Sequence, residues 1–189
     1  CRSYFCLPYF ARLKHRLFIA IDLPEATLGE IVAIQPQLDK LKLPIVWEKH
    51  PHLTLNFLGL ADPKAIVPLI PAFRSFILQP LYLDTLYSRH EPTILYLSLA
   101  KSQELIDLQE SLSLGLSQIT PQPRRYLPHT TLGHLKRTDP VSTKRYMDIL
   151  SGFESPQFSP FMVSKIVLYQ SLISQAGTTY QKLASFVLQ

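Results

Sequence analysis

The sequence predicts an α+β fold built on largely antiparallel sheets, and three observations predict it. Apolar runs of strand length are interspersed with longer segments of helical periodicity. Their order lacks the strict strand–helix–strand repeat that a parallel sheet needs. One short peptide is written twice. Pro51-His52-Leu53-Thr54-Leu55-Asn56-Phe57-Leu58-Gly59 and Pro128-His129-Thr130-Thr131-Leu132-Gly133-His134-Leu135-Lys136 agree at Pro, His, Thr, Leu and a second Leu. A similar strand–helix environment precedes each copy, which predicts two pseudo-symmetric lobes. No low-complexity linker separates the copies, so residues 16–189 read as one bilobal domain.

Taken in order, Leu17-Phe18-Ile19-Ala20-Ile21 is a continuous apolar run and reads as a buried strand. Pro24 suits the first turn of a helix, and Leu28, Ile31, Val32 and Leu38 then recur near helical spacing. Trp47 and the first His-x-Thr strand follow. Asp62-Pro63 resembles an N-cap with proline at the first helical position, opening a segment to about Phe76 that Pro68 and Pro71 make irregular or broken. Residues 80–87 and 93–99 are strand-like, with His90-Glu91-Pro92 as their turn. Leu105, Leu108, Leu112 and Leu116 support a helix from Ser102. Pro121 and Pro123 punctuate before the second motif strand. A short helix is expected over 140–150. Residues 161–172 and 179–188 read as two strands joined around Gln175-Ala176-Gly177. Residues 1–15 hold Arg2, Arg12 and Lys14 among aromatics, with no acidic residue. They read as an extension ahead of the domain, with a transit-type peptide as the alternative.

Hydrophobic residues make up 47% and charged residues 17% of the 189, a globular composition rather than a disordered one. The net charge of +5 suits a polyanionic partner. Its placement is more telling, because Arg124-Arg125 and Lys136-Arg137 bracket the second motif. Cys1 and Cys6 are the only cysteines, which excludes a disulfide framework and a four-cysteine zinc site. They fit a reducing compartment, so a cytoplasmic location is expected. The longest apolar run falls short of the roughly 18 residues of a membrane span.

In an extended strand, residues i and i+2 share a face. Each motif therefore presents an imidazole and a hydroxyl together, with leucine opposite. Two such strands around one cleft supply an acid, a base and two hydrogen-bond donors, as cyclic phosphate hydrolysis needs. Imidazole titrates near neutrality and can serve in either role. Threonine hydroxyls can hold phosphate oxygens as charge develops. Neither metal nor cofactor is required. The competing reading of His50, His52, His129 and His134 as a zinc site lacks a supporting carboxylate pattern, and Pro51 places His50 in a loop.

On these residues the chain resembles the two-histidine (2H) phosphoesterase superfamily, and within it the RNA 2′,3′-cyclic phosphodiesterases, also called 2′-5′ RNA ligases. The resemblance rests on Arg16 through Pro24, on both motifs, on Leu168-Tyr169-Gln170-Ser171 and on Gly177-x-x-Tyr180. It implies a bilobal fold around a central cleft and hydrolysis of terminal 2′,3′-cyclic phosphates to 2′-phosphates, with weak reversible 2′-5′ ligation as a side activity. It implies His52 as proton donor, His129 as proton acceptor, and Thr54, Thr131 and Arg124 as substrate-binding residues. Many members carry arginine where this chain has His134. The resemblance thus implies protonated His134, Lys136 or Arg137 as the phosphate-gripping cation. The expected partners are RNA ends or cyclic-phosphate nucleotides, with no membrane and no obligate protein partner. The competing class is a non-catalytic RNA-end or nucleotide-binding module on the same fold.

Overall fold

The computed structural model describes residues 15–88, 91–120, 125–136, 139–175 and 177–189. Arg124, Arg137, the extension over residues 1–14 and the tip of the turn at His90 lie outside the described residues.

The Leu17–Ile21 run forms the centre of β1 (His15–Asp22), whose middle is fully buried. Helix α1 (Glu25–Lys40) follows Pro24 and buries Thr27, Ile31, Ile34 and Leu38. Val32, expected on that buried stripe, is instead 59% exposed. A three-residue strand, β2 (Ile45–Trp47), then precedes the first motif strand, β3 (His52–Ala61). Asp62 caps the next helix by accepting the Lys64 backbone N–H. That helix, α2 (Pro63–Ile66), is shorter than expected: it gives way to a 3₁₀ turn at Val67–Leu69, and Phe76 belongs to the next strand. Pro68 and Pro71 have no backbone N–H to extend it.

Strands β4 (Phe76–Leu78), β5 (Pro80–Ser88) and β6 (Glu91–Leu99) lead to α3 (Gln103–Gly115), capped by the Ser102 hydroxyl. The second motif strand is β7 (His129–Leu135), followed by α4 (Pro140–Ser151). The segment 161–172 divides into β8 (Phe161–Val163) and β9 (Lys165–Ser174), and β10 (Gly177–Val187) closes the fold.

One sheet runs β10-β9-β1-β3-β7-β6-β5, with β2 also paired to β7, and a small sheet pairs β4 with β8. Every registered pair is antiparallel. The large sheet consists of two like halves. In each, a motif strand lies antiparallel to the strand that precedes its helix: β3 beside β1, and β7 beside β6. The halves meet at one registered pair, Leu53 with Thr130. Beyond it, β2 takes over the β7 edge at Gly133, His134 and Leu135.

Leucines and isoleucines from both halves, α1 and α3 share one core. Within it, Asn56 Nδ2 donates to Ser113 Oγ at 2.7 Å and Gln109 Nε2 donates to the same oxygen at 2.8 Å. This polar link fastens α3 beneath the first motif strand.

The register slips between Ile19 and Ala20 leave Leu55 as an extra residue in β3. The slip between Leu95 and Tyr96 does the same to Leu132 in β7. Both motif strands therefore carry a bulge at the leucine after the threonine. Their burial patterns are alike over seven residues: half-buried His and Thr, buried Leu55-Asn56 or Leu132-Gly133, and then exposed Phe57 or His134.

The residue after the second bulge is glycine for a steric reason. A Cβ on Gly133 would stand 2.5 Å from Ile45 Cγ2 and 3.0 Å from the Val46 carbonyl oxygen. Gly133→Ala is expected to push β2 off β7 and to destabilise the protein by about 1–3 kcal/mol, the usual cost of overpacking. Denaturant unfolding will measure it.

Candidate active site

The Leu53–Thr130 pair arranges the four motif side chains. In an antiparallel ladder, extending that register by one residue each way sets His52 beside Thr131 and Thr54 beside His129. The two histidines then become diagonal neighbours, which in a regular ladder lie about 7–8 Å apart. One phosphate group fits between imidazoles so placed. All four side chains line a single cleft of about 630 Å³.

Each imidazole is oriented by its own chain. His52 Nδ1 lies 2.7 Å from the His50 carbonyl oxygen, and His129 Nδ1 lies 2.8 Å from the Leu127 carbonyl oxygen. A carbonyl only accepts, so each Nδ1 carries the hydrogen. In the neutral ring that leaves Nε2 unprotonated and available for proton transfer. The shared x-Pro-His sequence explains the shared geometry. Proline holds the residue before it extended, so the carbonyl two positions back lies beside the ring. His50 lies in a bend before β3, as its neighbouring proline predicts, and its role is this carbonyl.

The surroundings of the two histidines differ. His52 sits in an aromatic box. Phe18 stacks on it at 5.0 Å between centroids, Tyr180 meets it edge-on at 5.1 Å, and Tyr169 stacks on Phe18 at 5.2 Å. The Tyr169 hydroxyl donates to Asp22 Oδ1, and Lys182 Nζ lies 2.8 Å from Asp22 Oδ2. Burial works against the Asp22 charge, but the hydrogen bonds from Lys182 and Tyr169 prevail and hold its carboxyl below the usual range. Burial in the box likewise pushes the His52 imidazole below its ordinary value. It outweighs the His50 carbonyl and the Glu48 and Asp22 charges, all of which favour the cation. Among the described residues His129 has one aromatic neighbour, Tyr96, edge-on at 5.5 Å, whose hydroxyl donates to Asp84 Oδ2 at 2.9 Å.

His134 lines the cleft and is exposed. Strict alternation from His129 would turn it to the opposite face, and the bulge at Leu132 brings it round. Phe57, 73% exposed, lines the cleft for the same reason. Arg16 and Glu48 also line it, and neither is a site residue in the sequence reading. Arg16 precedes the apolar run of β1, and that position is the only signal the sequence offers for it. Arg124 lies outside the described residues. Among the described residues no group of three or more His, Cys, Asp or Glu side chains is placed to hold a metal ion, so the four-histidine zinc alternative finds no geometry there.

A histidine whose folded value is depressed below the unfolded one (about 6.5) favours folding in its neutral form. That contribution is complete above the unfolded value and is lost as pH falls through the folded one. The NMR titration midpoint of His52 is therefore expected below about 6.5, and Tyr180→Ala, which opens the box, is expected to raise it. As pH drops from about 6.5, the unfolding free energy of the wild type should decline more steeply than that of His52→Gln.

The chain and its fold have relatives. The chain is 28% identical over 171 residues to an RNA 2′,3′-cyclic phosphodiesterase of Methanocaldococcus jannaschii, spanning 88% of this chain and 96% of that protein. Among solved structures it is similar to TT0787 of Thermus thermophilus, with a TM-score of 0.72 at 22% identity over 92% of this chain and 97% of that one. It is also similar to E. coli LigT complexed with 3′-AMP, with a TM-score of 0.68 at 23% identity over 93% of this chain and 98% of that one. Residues 24–172 match the family model of the 2′-5′ RNA ligase superfamily. With that match extending over most of its length, the chain belongs to the 2′-5′ RNA ligase superfamily.

Proposed function

We propose that this protein hydrolyses the 2′,3′-cyclic phosphate at an RNA end to a 2′-phosphate, with two histidines moving the protons and no metal taking part. The observation that carries this reading is the convergence of His52, Thr54, His129 and Thr131 on one cleft, each imidazole held by a carbonyl at Nδ1. The Methanocaldococcus relative is named for this activity, and the E. coli neighbour was solved with 3′-AMP.

Nε2 of His129 takes a proton from water as the oxygen adds to phosphorus. The P–O3′ bond breaks, and Nε2–H of His52 protonates the departing O3′. One water is consumed, a 3′-hydroxyl and a 2′-phosphate monoester result, and solvent exchange resets both rings. The Thr54 and Thr131 hydroxyls donate to the non-bridging oxygens, where charge grows in the transition state. Arg16 and protonated His134 supply cationic character from the cleft wall.

The aromatic box gives this cycle an order. In the free protein, burial favours neutral His52. A phosphodiester anion arriving beside it favours the imidazolium. Substrate binding thus loads the acid that the reaction uses. Ligation is the reverse reaction with a 5′-hydroxyl in place of water, and water at about 55 M opposes it in dilute solution.

An RNA ending in a 2′,3′-cyclic phosphate should be opened in the presence of chelator, and its product should resist a 3′-specific phosphatase. His52→Ala and His129→Ala should each lower the rate by about 10²–10⁴, with a smaller loss for Thr54→Ala or Thr131→Ala. On a nitrophenyl phosphodiester, whose leaving group needs no proton, His52→Ala should recover activity and His129→Ala should not. The opposite pattern exchanges the two roles. Full activity of both variants on the cyclic RNA end leaves the binding-module reading in its place.

A further inference from the structure

On the far side of His52 a second cavity of about 510 Å³ opens between α1 and the loop before β3. It shares Glu48, His52 and Tyr180 with the catalytic cleft, so the two cavities meet along one rim. Nothing in the proposed proton transfers uses it. Its volume falls within the roughly 300–1,000 Å³ of small-molecule sites.

The lining identifies the kind of group it takes. Leu28, Ile31 and Val32 line it from α1, and Tyr180 lines it as part of the shared rim. Val32 is 59% exposed, beside the face that buries Thr27, Ile31, Ile34 and Leu38, so the helix leaves apolar surface uncovered where it lines the cavity. The charges are two carboxylates, Asp22 and Glu48, and two ammonium groups, Lys49 and Lys182, and Lys182 is already paired with Asp22. They cancel, so the cavity offers no net attraction to a second phosphate. Gln35, with both a donor and an acceptor, supplies edge recognition for a neutral polar ring. Apolar walls with balanced charge and an amide at the side suit a nucleobase.

We infer that this cavity receives the base of the nucleotide immediately upstream of the cyclic-phosphate end, so that the enzyme reads an RNA terminus as at least a dinucleotide. The inference rests on the proposed hydrolysis. It adds that a chain whose terminal phosphate lies at His52 crosses the Glu48–His52–Tyr180 rim and seats its next base against Val32.

The test compares a nucleoside 2′,3′-cyclic phosphate with a dinucleotide ending in the same group, using the full chain. The wild type should prefer the dinucleotide by about 5-fold or more in kcat/KM, the scale of one stacked base. Val32→Trp, an uncharged substitution at an exposed helix position that fills the cavity, should abolish the preference and leave turnover of the mononucleotide within about 2-fold, which also reports that the variant is folded. Gln35→Ala should reduce the preference in part. A dinucleotide lacking the upstream base should behave like the mononucleotide. Equal kcat/KM for both substrates in the wild type overturns the inference, as does a preference that survives Val32→Trp or loss of the base. A wild-type protein inactive on both substrates overturns the hydrolytic function itself, a separate result from any of these.

Discussion

The architecture depends on the contact between Leu53 and Thr130, where two half-sheets become one. Both are the middle residue of a His-x-Thr motif, and both are fully buried. With the middle residues paired face-down in the core, the flanking His and Thr of each strand must rise on the other side. Four polar side chains then share a small area because of one backbone pairing, with no help from loop geometry. The Thr130 hydroxyl finds no hydrogen-bond partner among the described residues, and neither does Asn56 Oδ1. Such atoms cost free energy where they are buried, and here both belong to the strands that carry His52 and His129.

The symmetry of the backbone stops at the second layer of side chains. Each histidine has a tyrosine near it whose hydroxyl is held by a carboxylate: Tyr169 by Asp22 behind His52, and Tyr96 by Asp84 beside His129. Around His52, however, Phe18 and Tyr180 complete an enclosure that His129 lacks. Similar strands hold the rings alike, while burial in the aromatic box lowers the His52 value. Under the proposed mechanism one imidazole gives a proton and the other takes one, and the unlike surroundings set the two rings apart.

Much of this was legible in the sequence because it is local. The i, i+2 rule places Thr54 with His52 and Thr131 with His129, and the centres of β1, β5 and β6 follow from the runs at 17–21, 80–87 and 93–99, although β1 extends past its run at both ends and β6 begins at Glu91, within the expected turn. The rest depended on partners far along the chain. Asp22 and Tyr169 stand 147 residues apart, and nothing near either announces the other. The strand β2 is three residues long, too short for any periodicity, and exists because Gly133 leaves room for it. The segment from Asp62 toward Phe76 breaks past Leu69, as Pro68 and Pro71 predict, while the strand beginning at Phe76 carried no such local signal. Val32 fits the helical period of its neighbours and is exposed all the same, because α1 meets a cavity there instead of the sheet.

The paired bulges change how such a strand is to be decoded. A strand read by twos from His52 would assign Asn56 to the substrate and Phe57 to the core, and from His129 would assign Gly133 to the substrate and His134 to the core. The extra residue at Leu55 and at Leu132 reverses both assignments. The cleft is therefore addressed at offsets of zero, two and five from each histidine, giving His52, Thr54 and Phe57 on one wall and His129, Thr131 and His134 on the other. The first two offsets are spelled identically in the two copies, whereas the fifth holds a phenyl ring in one and an imidazole in the other. The two copies thus present unlike groups to the cleft one step beyond the repeated letters, so its two walls differ there while their histidines and threonines match.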